Sequence, residues 1–467
     1  MSEYISSLLP DFKCLAADCP STCCGGWTVN VDPRTRKQIR SEKGLKGMIM
    51  NAAFSKGKSS HIIMPLGTCP FHKRGLCSFQ ASGKNDLMPN VCRVYPRKRT
   101  TIGMRTEITP ELSCIEAARL FLKYPAMATE FICTSELNGD CKESACLEKK
   151  LCCVDGDMND KENKPDCEEK LSDFCDIRMD SKDKTATLVL EFRRKILDVL
   201  RNTGGSLIER ERIIYGYAAE VHSLFVRNKI DDAMSIEVTG KENADRETGD
   251  KCNGKVTFFP MTFLNDCILN VIPYGHYFFG NRFFFDLLRE YRILFGNVPY
   301  SRADEFMAEK FREIFTEKEA EKAESKTANI PAESKKEKFC LMSPDIFSCY
   351  LQYLLIRTCP EAYNDCHLLK AVALPLLLTD LLRVFSVCLF EMEHRGENLQ
   401  NDRRYDRKYN HGHDLQNDKS HDRKKDLLND PRFNSALAIS SFEKALIHSP
   451  ALLKALFRKI EKEAIKA

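Results

Sequence analysis

The sequence predicts a mainly α-helical protein in which a cysteine-rich N-terminal module packs on a helical body, with two polar insertions. Three observations support this prediction. Apolar side chains recur with helical spacing through most of the chain after about Thr185. Cysteines are dense within residues 1–125, and two later stretches are strongly polar. The chain has 467 residues, of which 43% are hydrophobic and 30% charged, so it is long and apolar enough for a large core.

The N-terminal module, residues 1–125, contains eight cysteines with short spacings. Thiolates are soft ligands that suit zinc, copper(I) or iron–sulfur clusters. Short loops between them lower the entropy cost of gathering several ligands around one metal centre. Of the eight cysteines, Cys14 and Cys114 are the weakest candidates for metal ligands, and Cys19 is a weaker candidate than the other five. The predicted metal ligands are Cys19, Cys23, Cys24, Cys69, Cys77 and Cys92.

Three kinds of site remain open for these cysteines. A closed structural zinc site takes four ligands, so the module could hold one or two such sites. A four-iron cluster also takes about four thiolates and adds redox chemistry. Free cysteines packed as small hydrophobic side chains are the third possibility. The N-terminus has no basic segment followed by an apolar one, so we expect a cytoplasmic protein with reduced thiols, which favours metal over disulfides.

Local signals predict the secondary structure of the module. Alternating side chains predict a short strand over Trp27–Val31. Asp32 followed by Pro33 is typical of a helix N-cap and first helical position, and predicts a helix over about 34–39. Apolar spacing predicts a further helix over 111–124.

The rest of the chain divides into four regions. Residues 131–181 are acidic and carry seven further cysteines, and residues 399–430 contain an approximate 16-residue tandem repeat. Both compositions predict surface insertions, the second of them disordered. Residues 182–395 form the predicted helical domain, and residues 433–467 a C-terminal helix that packs on it. The predicted helices of these regions cover 187–200, 207–226, 304–316, 344–357, 368–390 and 441–460.

Charge and motif content exclude several classes of function. A net charge of +4 is too small to indicate nucleic-acid binding. The most apolar stretch, 368–390, is interrupted by Lys370, Asp380 and Arg383, so no run reaches the roughly 18 uncharged residues of a membrane span. The chain lacks the glycine-rich dinucleotide and phosphate loops and the GxSxG nucleophile elbow.

Four blocks of sequence, in order over about 105 residues, form a recognisable pattern. They are Phe12-x-Cys14 with Cys19-x3-Cys23-Cys24-x-Gly26-Trp27-x-Val29-x-Val31-Asp32, then Cys69-x7-Cys77, then Cys92-x2-Tyr95-Pro96-Arg97, then Glu111-Leu112-Ser113-Cys114-Ile115-Glu116-Ala117-Ala118-Arg119. This pattern resembles the N-terminus of the flagellin lysine-N-methylase family. Near the C-terminus, where that family often has an arginine and then a Glu-His pair, this chain has Glu443-x4-His448. The cysteine part alone also resembles small proteins described only as zinc- or iron-chelating.

The resemblance implies transfer of a methyl group from S-adenosylmethionine to lysines of a flagellin-like protein, by an enzyme that contains an iron–sulfur cluster of the 4Fe-4S type. Tyr95 and Arg97 are the candidate cofactor-binding residues, because they follow Cys92 and a guanidinium pairs well with a carboxylate. The catalytic residues stay open. The second hypothesis is a non-enzymatic protein, either an iron–sulfur carrier or a zinc-stapled scaffold. Neither hypothesis involves nucleic acid or a membrane.

We predict that S-adenosylmethionine binds near the module, and that Arg97→Ala weakens its binding about tenfold, or about 1.4 kcal/mol. The reason is loss of a bidentate contact with the cofactor's carboxylate. Calorimetry on metal-loaded protein measures the affinity. An unchanged affinity in the variant would remove Arg97 from the site, whereas no binding by metal-loaded wild type would favour the carrier or scaffold.

Overall fold

The computed structural model describes residues 2–19, 21–25, 27–55, 60–64, 68–73, 75–134, 184–238, 256–272, 281–314, 344–395, 430 and 432–464. The predicted insertions 131–181 and 399–430 lie outside these residues, apart from 131–134 and Asp430. The described part of the chain is mainly helical, which confirms the mainly α-helical part of the predicted fold class.

Residues 2–134 contain all the strands that the structure describes, together with five helices. The strands are β1 (Ser2–Ser6), β2 (Asn30–Val31), β3 (Ser60–His61), β4 (His72–Lys73), β5 (Leu76–Cys77), β6 (Arg97–Ile102), β7 (Arg105–Pro110) and β8 (Phe131–Cys133). The helices are α1 (Pro33–Ser41), α2 (Gly44–Ala52), α3 (Ser78–Ala81), α4 (Asn90–Val94) and α5 (Ile115–Lys123).

A four-stranded sheet with the order β6-β7-β1-β8 was not predicted. Strand β1 runs parallel to β7, with Ser2 opposite Arg105 and Ile5 opposite Ile108, while the other pairs are antiparallel. The sequence analysis assigned 131–133 to an insertion, but these residues pair with β1 and complete the sheet. Strands β1 and β7 lie about 100 residues apart in sequence, so no local pattern reports their pairing.

Helix α1 begins where the N-cap signal of Asp32 and Pro33 predicts. The Asp32 carboxylate accepts a hydrogen bond from the Thr35 N–H (3.0 Å), and Pro33 is the first residue of α1. The second carboxylate oxygen accepts from the Asn90 N–H (2.8 Å), which ties α1 to α4. The predicted strand over Trp27–Val31 is only two residues long, β2, and the predicted helix over 111–124 starts later, at Ile115.

The helical body begins at Lys184 and contains five of the six predicted helices, several of them longer than predicted. Its described helices are α6 (Lys184–Asn202), α7 (Leu207–Phe225), α8 (Ile230–Ser235), α9 (Met261–Asp266), α10 (Arg282–Phe295), α11 (303–314), α12 (Pro344–Asp365), α13 (Leu368–His394), α14 (Phe433–Leu446) and α15 (Pro450–Ala464).

Helix α13 is the centre of the body, where it packs on α7, α10 and α12. Among the described helices it alone is long and apolar enough to cross a membrane, and its most apolar 18 residues all lie inside the fold. Its two central charged residues, Asp380 and Arg383, both have hydrogen-bond partners inside the fold. The Asp380 carboxylate accepts hydrogen bonds from the N–H groups of Phe258 (3.0 Å) and Phe259 (2.7 Å), and Arg383 donates to Glu211 at 2.6 Å.

The predicted C-terminal helix over 441–460 is wrong in one respect, because the chain forms two helices there, α14 and α15. The break has a local cause. Pro450 has no N–H to continue α14 and disfavours helical geometry at Ser449, whose hydroxyl instead accepts from the Leu452 N–H at 3.4 Å. The break leaves His448 in the turn between the two helices.

The sheet is joined to the body by a buried ion pair between β7 and α6. Arg193 donates two hydrogen bonds to the Glu107 carboxylate, at 2.7 and 2.6 Å, in a bidentate arrangement. Burial acts to raise the pKa of Glu107, but Arg193 and Arg105 outweigh it, so the pKa of this carboxyl is lowered overall. The carboxylate is therefore charged in the folded protein and needs its arginine partners.

We predict that Arg193→Met lowers the free energy of unfolding by about 3–5 kcal/mol, because it leaves a buried carboxylate short of a partner. Arg194 is the matched control, since its side chain is 56% exposed against 9% for Arg193. Its surface pairs with Glu191 and Asp198 contribute less than about 1 kcal/mol. Denaturant unfolding measures both variants, and equal losses would contradict the assigned role of Arg193.

Candidate functional site

Five of the six predicted metal ligands line a single cavity in the N-terminal module. These are Cys23, Cys24, Cys69, Cys77 and Cys92. The cavity has a volume of about 70 Å³, whereas one water molecule needs roughly 10–15 Å³. The five side chains therefore surround a space several times larger than a single water or metal ion.

Backbone contacts bring these cysteines together from distant segments. The Cys69 N–H donates to the Cys24 carbonyl at 2.7 Å, and Gly25 and Thr68 form an isolated β-bridge beside it. Cys77 ends β5, directly before α3, and Cys92 lies in α4, whose first residue is held by Asp32. Three separate loops are thus fastened around one cavity.

The rest of the cavity wall is mostly apolar, with Val29, Ile62, Phe71, Phe79 and Met88 among its residues. Such walls exclude water and lower the local dielectric constant around a bound group. Within the described residues, no three Cys, His, Asp or Glu side chains converge closely enough to ligate one metal ion. The thiols face a shared space rather than a single point.

Cys19, the sixth predicted ligand, is not among the cavity-lining residues. The Cys19 thiol donates a hydrogen bond to the Ser21 carbonyl at 3.3 Å, and burial raises the pKa of this thiol to about 11. It lies close enough to Cys14 and Cys23 for their charges to affect its ionisation. Burial likewise raises the pKa of Cys114, the residue that precedes α5, to about 12. The thiols of Cys19 and Cys114 therefore lie close to Cys23 but outside the cavity lining.

The cavity cysteines differ in how easily they ionise. A hydrogen bond with the adjacent Cys24 thiol lowers the pKa of Cys23 to about 7, whereas the same contact raises the pKa of Cys24. Burial raises the pKa of Cys69 to about 11 and also raises that of Cys92. Cys23 is the most exposed of the group.

The two predicted cofactor-binding residues are in different places. Tyr95 lines the cavity, and its ring stacks on that of Trp27 with 5.8 Å between centroids. The Arg97 guanidinium lies over the Phe12 ring, 5.4 Å from its centroid, and is not among the described side chains that line the cavity. The structure therefore brings Tyr95, but not Arg97, to the cysteines.

A buried polar network lies behind this aromatic wall. The hydroxyl of Ser113 is 3.0 Å from the Tyr95 hydroxyl and 2.8 Å from His448 Nε2. The His448 ring also contacts Trp27, with 5.0 Å between centroids. Burial lowers the pKa of His448 to about 4, so its imidazole is neutral at pH 7. A residue of the C-terminal turn thus packs behind the wall of the N-terminal cavity, against Trp27.

Two carboxylates and one guanidinium form the deep end of the network. Arg357 Nη2 donates to Glu111 at 2.7 Å, and Arg357 Nη1 lies 3.4 Å from Glu443. Tyr350 and Tyr353 donate hydrogen bonds to the two oxygens of Glu443, at 3.3 and 3.2 Å. Burial raises the pKa of Glu443 to about 7, whereas burial at Glu111 is opposed chiefly by the positive charge of Arg357, and the pKa of Glu111 is lowered overall.

This arrangement is suited to holding protons and charge rather than to nucleophilic attack. In a Ser-His-acid triad the serine and the carboxylate contact different nitrogens of the imidazole. Here Ser113 and Glu111 both approach His448 Nε2, at 2.8 and 3.4 Å. The geometry therefore argues against an acyl-transfer triad.

In the sequence, Glu443 and His448 stand out only as a departure from a family pattern, and nothing in it groups Ser113, Glu111 and Arg357. One signal was available, since Arg357 and Glu443 interrupt otherwise apolar helical stretches. Charges in such positions are buried and must be paired. The sequence does not identify the partners of Arg357, because Glu443 and Glu111 lie 86 and 246 residues away from it.

Comparison with known proteins adds no further assignment. No protein-family model, curated protein or solved structure matches this chain. The residues of the site and the resemblance carried by the four sequence blocks are therefore the observations that bear on function.

We predict that the stability of Glu443→Gln relative to wild type increases by about 1–3 kcal/mol as the pH rises from 5 to 8. Because the folded-state pKa of Glu443 is about 7 against an ordinary 4.5, the unfolded chain ionises first. Wild-type stability then falls by at most about 1.4 kcal/mol per pH unit between these two pKa values and levels off above pH 7. Glutamine is neutral throughout, so the variant avoids this loss.

Urea unfolding of the two proteins at both pH values measures this difference. Glu111→Gln is the matched control, because the lowered pKa of Glu111 means that its ionised form stabilises the fold. That variant should be less stable than wild type at pH 8. A difference between Glu443→Gln and wild type that does not change with pH would contradict the assigned protonation of Glu443.

Proposed function

We propose that this protein binds a four-iron cluster through Cys23, Cys24, Cys69, Cys77 and Cys92, or four of these. The observation that carries the proposal is the single cavity lined by all five thiols. Thiolates are the ligands of iron–sulfur clusters, and four of them suffice for one cluster.

The size of the cavity favours a cluster over structural zinc. A zinc ion draws four thiolates to about 2.3 Å, which leaves no free volume between them. The cavity measures about 70 Å³, which is more space than four thiolates closed around one zinc ion leave between them.

We further propose that the protein uses S-adenosylmethionine to methylate lysine side chains of a flagellin-like protein in the cytoplasm. The four sequence blocks support this activity through their resemblance to lysine-N-methylases. The buried network of Glu443, Arg357, Glu111 and His448 is compatible with this activity, since it holds titratable groups behind the cavity wall.

Each part of the site has a defined task in this proposal. The substrate lysine has to be neutral to act as a nucleophile, although an ordinary lysine is protonated at pH 7. The apolar and aromatic wall around Trp27 and Tyr95 disfavours the charged amine and so favours its neutral form. His448, which packs against Trp27, is neutral at pH 7 and has a free role as acceptor only for an amine whose pKa this wall has lowered, because the pKa of the imidazole is itself low. The cluster, when bound, supplies redox capacity and a place to anchor the amino and carboxylate groups of the cofactor.

We predict that anaerobically purified protein contains iron and sulfide and absorbs broadly near about 400 nm. Replacing Cys69 or Cys92 with serine should remove most of the iron, because each is one of a small ligand set. Cys366→Ser is the matched control, since that exposed cysteine lies in the helical body. Iron and sulfide assays measure all three variants, and a folded protein without iron or sulfide would overturn the cluster.

The activity is tested separately, with methyl-labelled S-adenosylmethionine and a lysine-rich protein substrate. Incorporation of label into lysine by the iron-loaded protein, lost in His448→Ala at unchanged iron content, is the expected result. An iron-loaded protein that neither binds the cofactor nor transfers label would favour the carrier.

A further inference from the structure

Lys444 is a buried lysine that reaches from the helical body to the loop carrying the first cavity cysteines. It lies on α14, next to Glu443, and is 5% exposed. Its ammonium donates to the Ser21 hydroxyl at 2.8 Å and to the carbonyls of Ser21 and Thr22 at 3.4 and 3.2 Å. Cys23 and Cys24 follow these two residues directly.

The contacts of this ammonium are all to neutral oxygens. In the part of the chain that the structure describes, no carboxylate forms an ion pair with Lys444. The ionisable groups that act on it most strongly are the thiols of Cys19, Cys23, Cys114 and Cys24. Lys444 therefore differs from Arg193, Arg357 and Arg383, each of which meets a buried carboxylate.

A buried ammonium without a negative partner is costly, and folded proteins avoid it. Neutral carbonyls offset only part of the lost hydration. A cluster held by four thiolates carries net negative charge, and it would occupy the cavity at the end of the loop that Lys444 holds. The missing countercharge of Lys444 and the excess negative charge of a thiolate-bound cluster are complementary.

We infer that Lys444 is the countercharge of the cluster, held at the cavity by the helical body, and that it raises the reduction potential of the cluster. This inference rests on the proposed cluster site. A nearby positive charge stabilises the reduced state, which carries one more electron, relative to the oxidised state. Lys444 acts through the cluster and is a positioning residue, with no bond to metal.

The experiment separates the charge of Lys444 from its hydrogen bonds. Lys444→Gln keeps a donor for Ser21 and Thr22 but is neutral, Lys444→Met removes both properties, and Lys444→Arg keeps the charge. Lys195→Met is the matched control, because Lys195 is also buried and holds a loop through the carbonyl of Ile236 at 2.7 Å, in the helical body. Iron and sulfide per chain, midpoint potential and unfolding free energy are measured for each.

We expect Lys444→Gln and Lys444→Met to lower the midpoint potential. At the wild-type midpoint the ratio of reduced to oxidised cluster should fall about tenfold, which is about 59 mV for a one-electron couple. Lys444→Arg should stay within about twofold of wild type. Lys195→Met should lose stability while keeping the wild-type potential and iron content.

The outcomes distinguish this inference from the proposed function. A neutral variant with wild-type iron and wild-type potential would overturn the role of Lys444 and leave the cluster proposal intact. If the neutral variants lose iron, retention of iron by Lys444→Arg supports the countercharge, whereas equal loss in the arginine variant overturns it. Wild-type protein without iron and sulfide would overturn the cluster itself, before any variant is made.

Discussion

The docking of the N-terminal module on the helical body depends on the burial of one positive charge, Arg357, between two carboxylates. Glu111 follows the sheet, and Glu443 lies on α14, so the three charges come from three distant segments. One guanidinium cannot balance two ionised carboxylates in a dry environment. Glu443 therefore keeps its proton up to about pH 7, while the pKa of Glu111 is lowered. Any other docking of these segments would leave a buried charge uncompensated.

The same charge balance determines the shape of the cysteine cavity. Glu111 lies 3.4 Å from His448, which packs against the Trp27 ring in the cavity wall. Ser113 contacts both His448 and Tyr95, and its carbonyl accepts a hydrogen bond from Ser440 of α14 at 2.7 Å. The aromatic wall is thus held in place by the helical body. Cysteine spacing brings the thiols near one another, but the space between them is a property of the whole fold.

This dependence explains which parts of the structure could be predicted from sequence. Helices such as α6, α7 and α13 were predicted because their apolar spacing is a local signal, and the Asp32 cap because its chemistry is local. The parallel pairing of β1 with β7 depends on a partner about 100 residues away, and no period in either strand specifies it. The polar network was missed for the same reason. Arg357 was visible as a charge in an apolar helix, but Glu111 was not visible as its partner.

The way the ligand loops are fastened bears on whether a cluster would be resident or transferred. A protein that transfers its cluster needs ligand loops that open at low cost. Here the loop of Cys24 is bonded to that of Cys69, the helix of Cys92 is held by Asp32, and the segment before Cys23 is held by Lys444. Opening the cavity would break contacts in both the module and the body, including the hydrogen bonds of a buried ammonium. Since each contact raises the cost of release, these fastened loops support the proposal of a resident cluster over that of a transferred one.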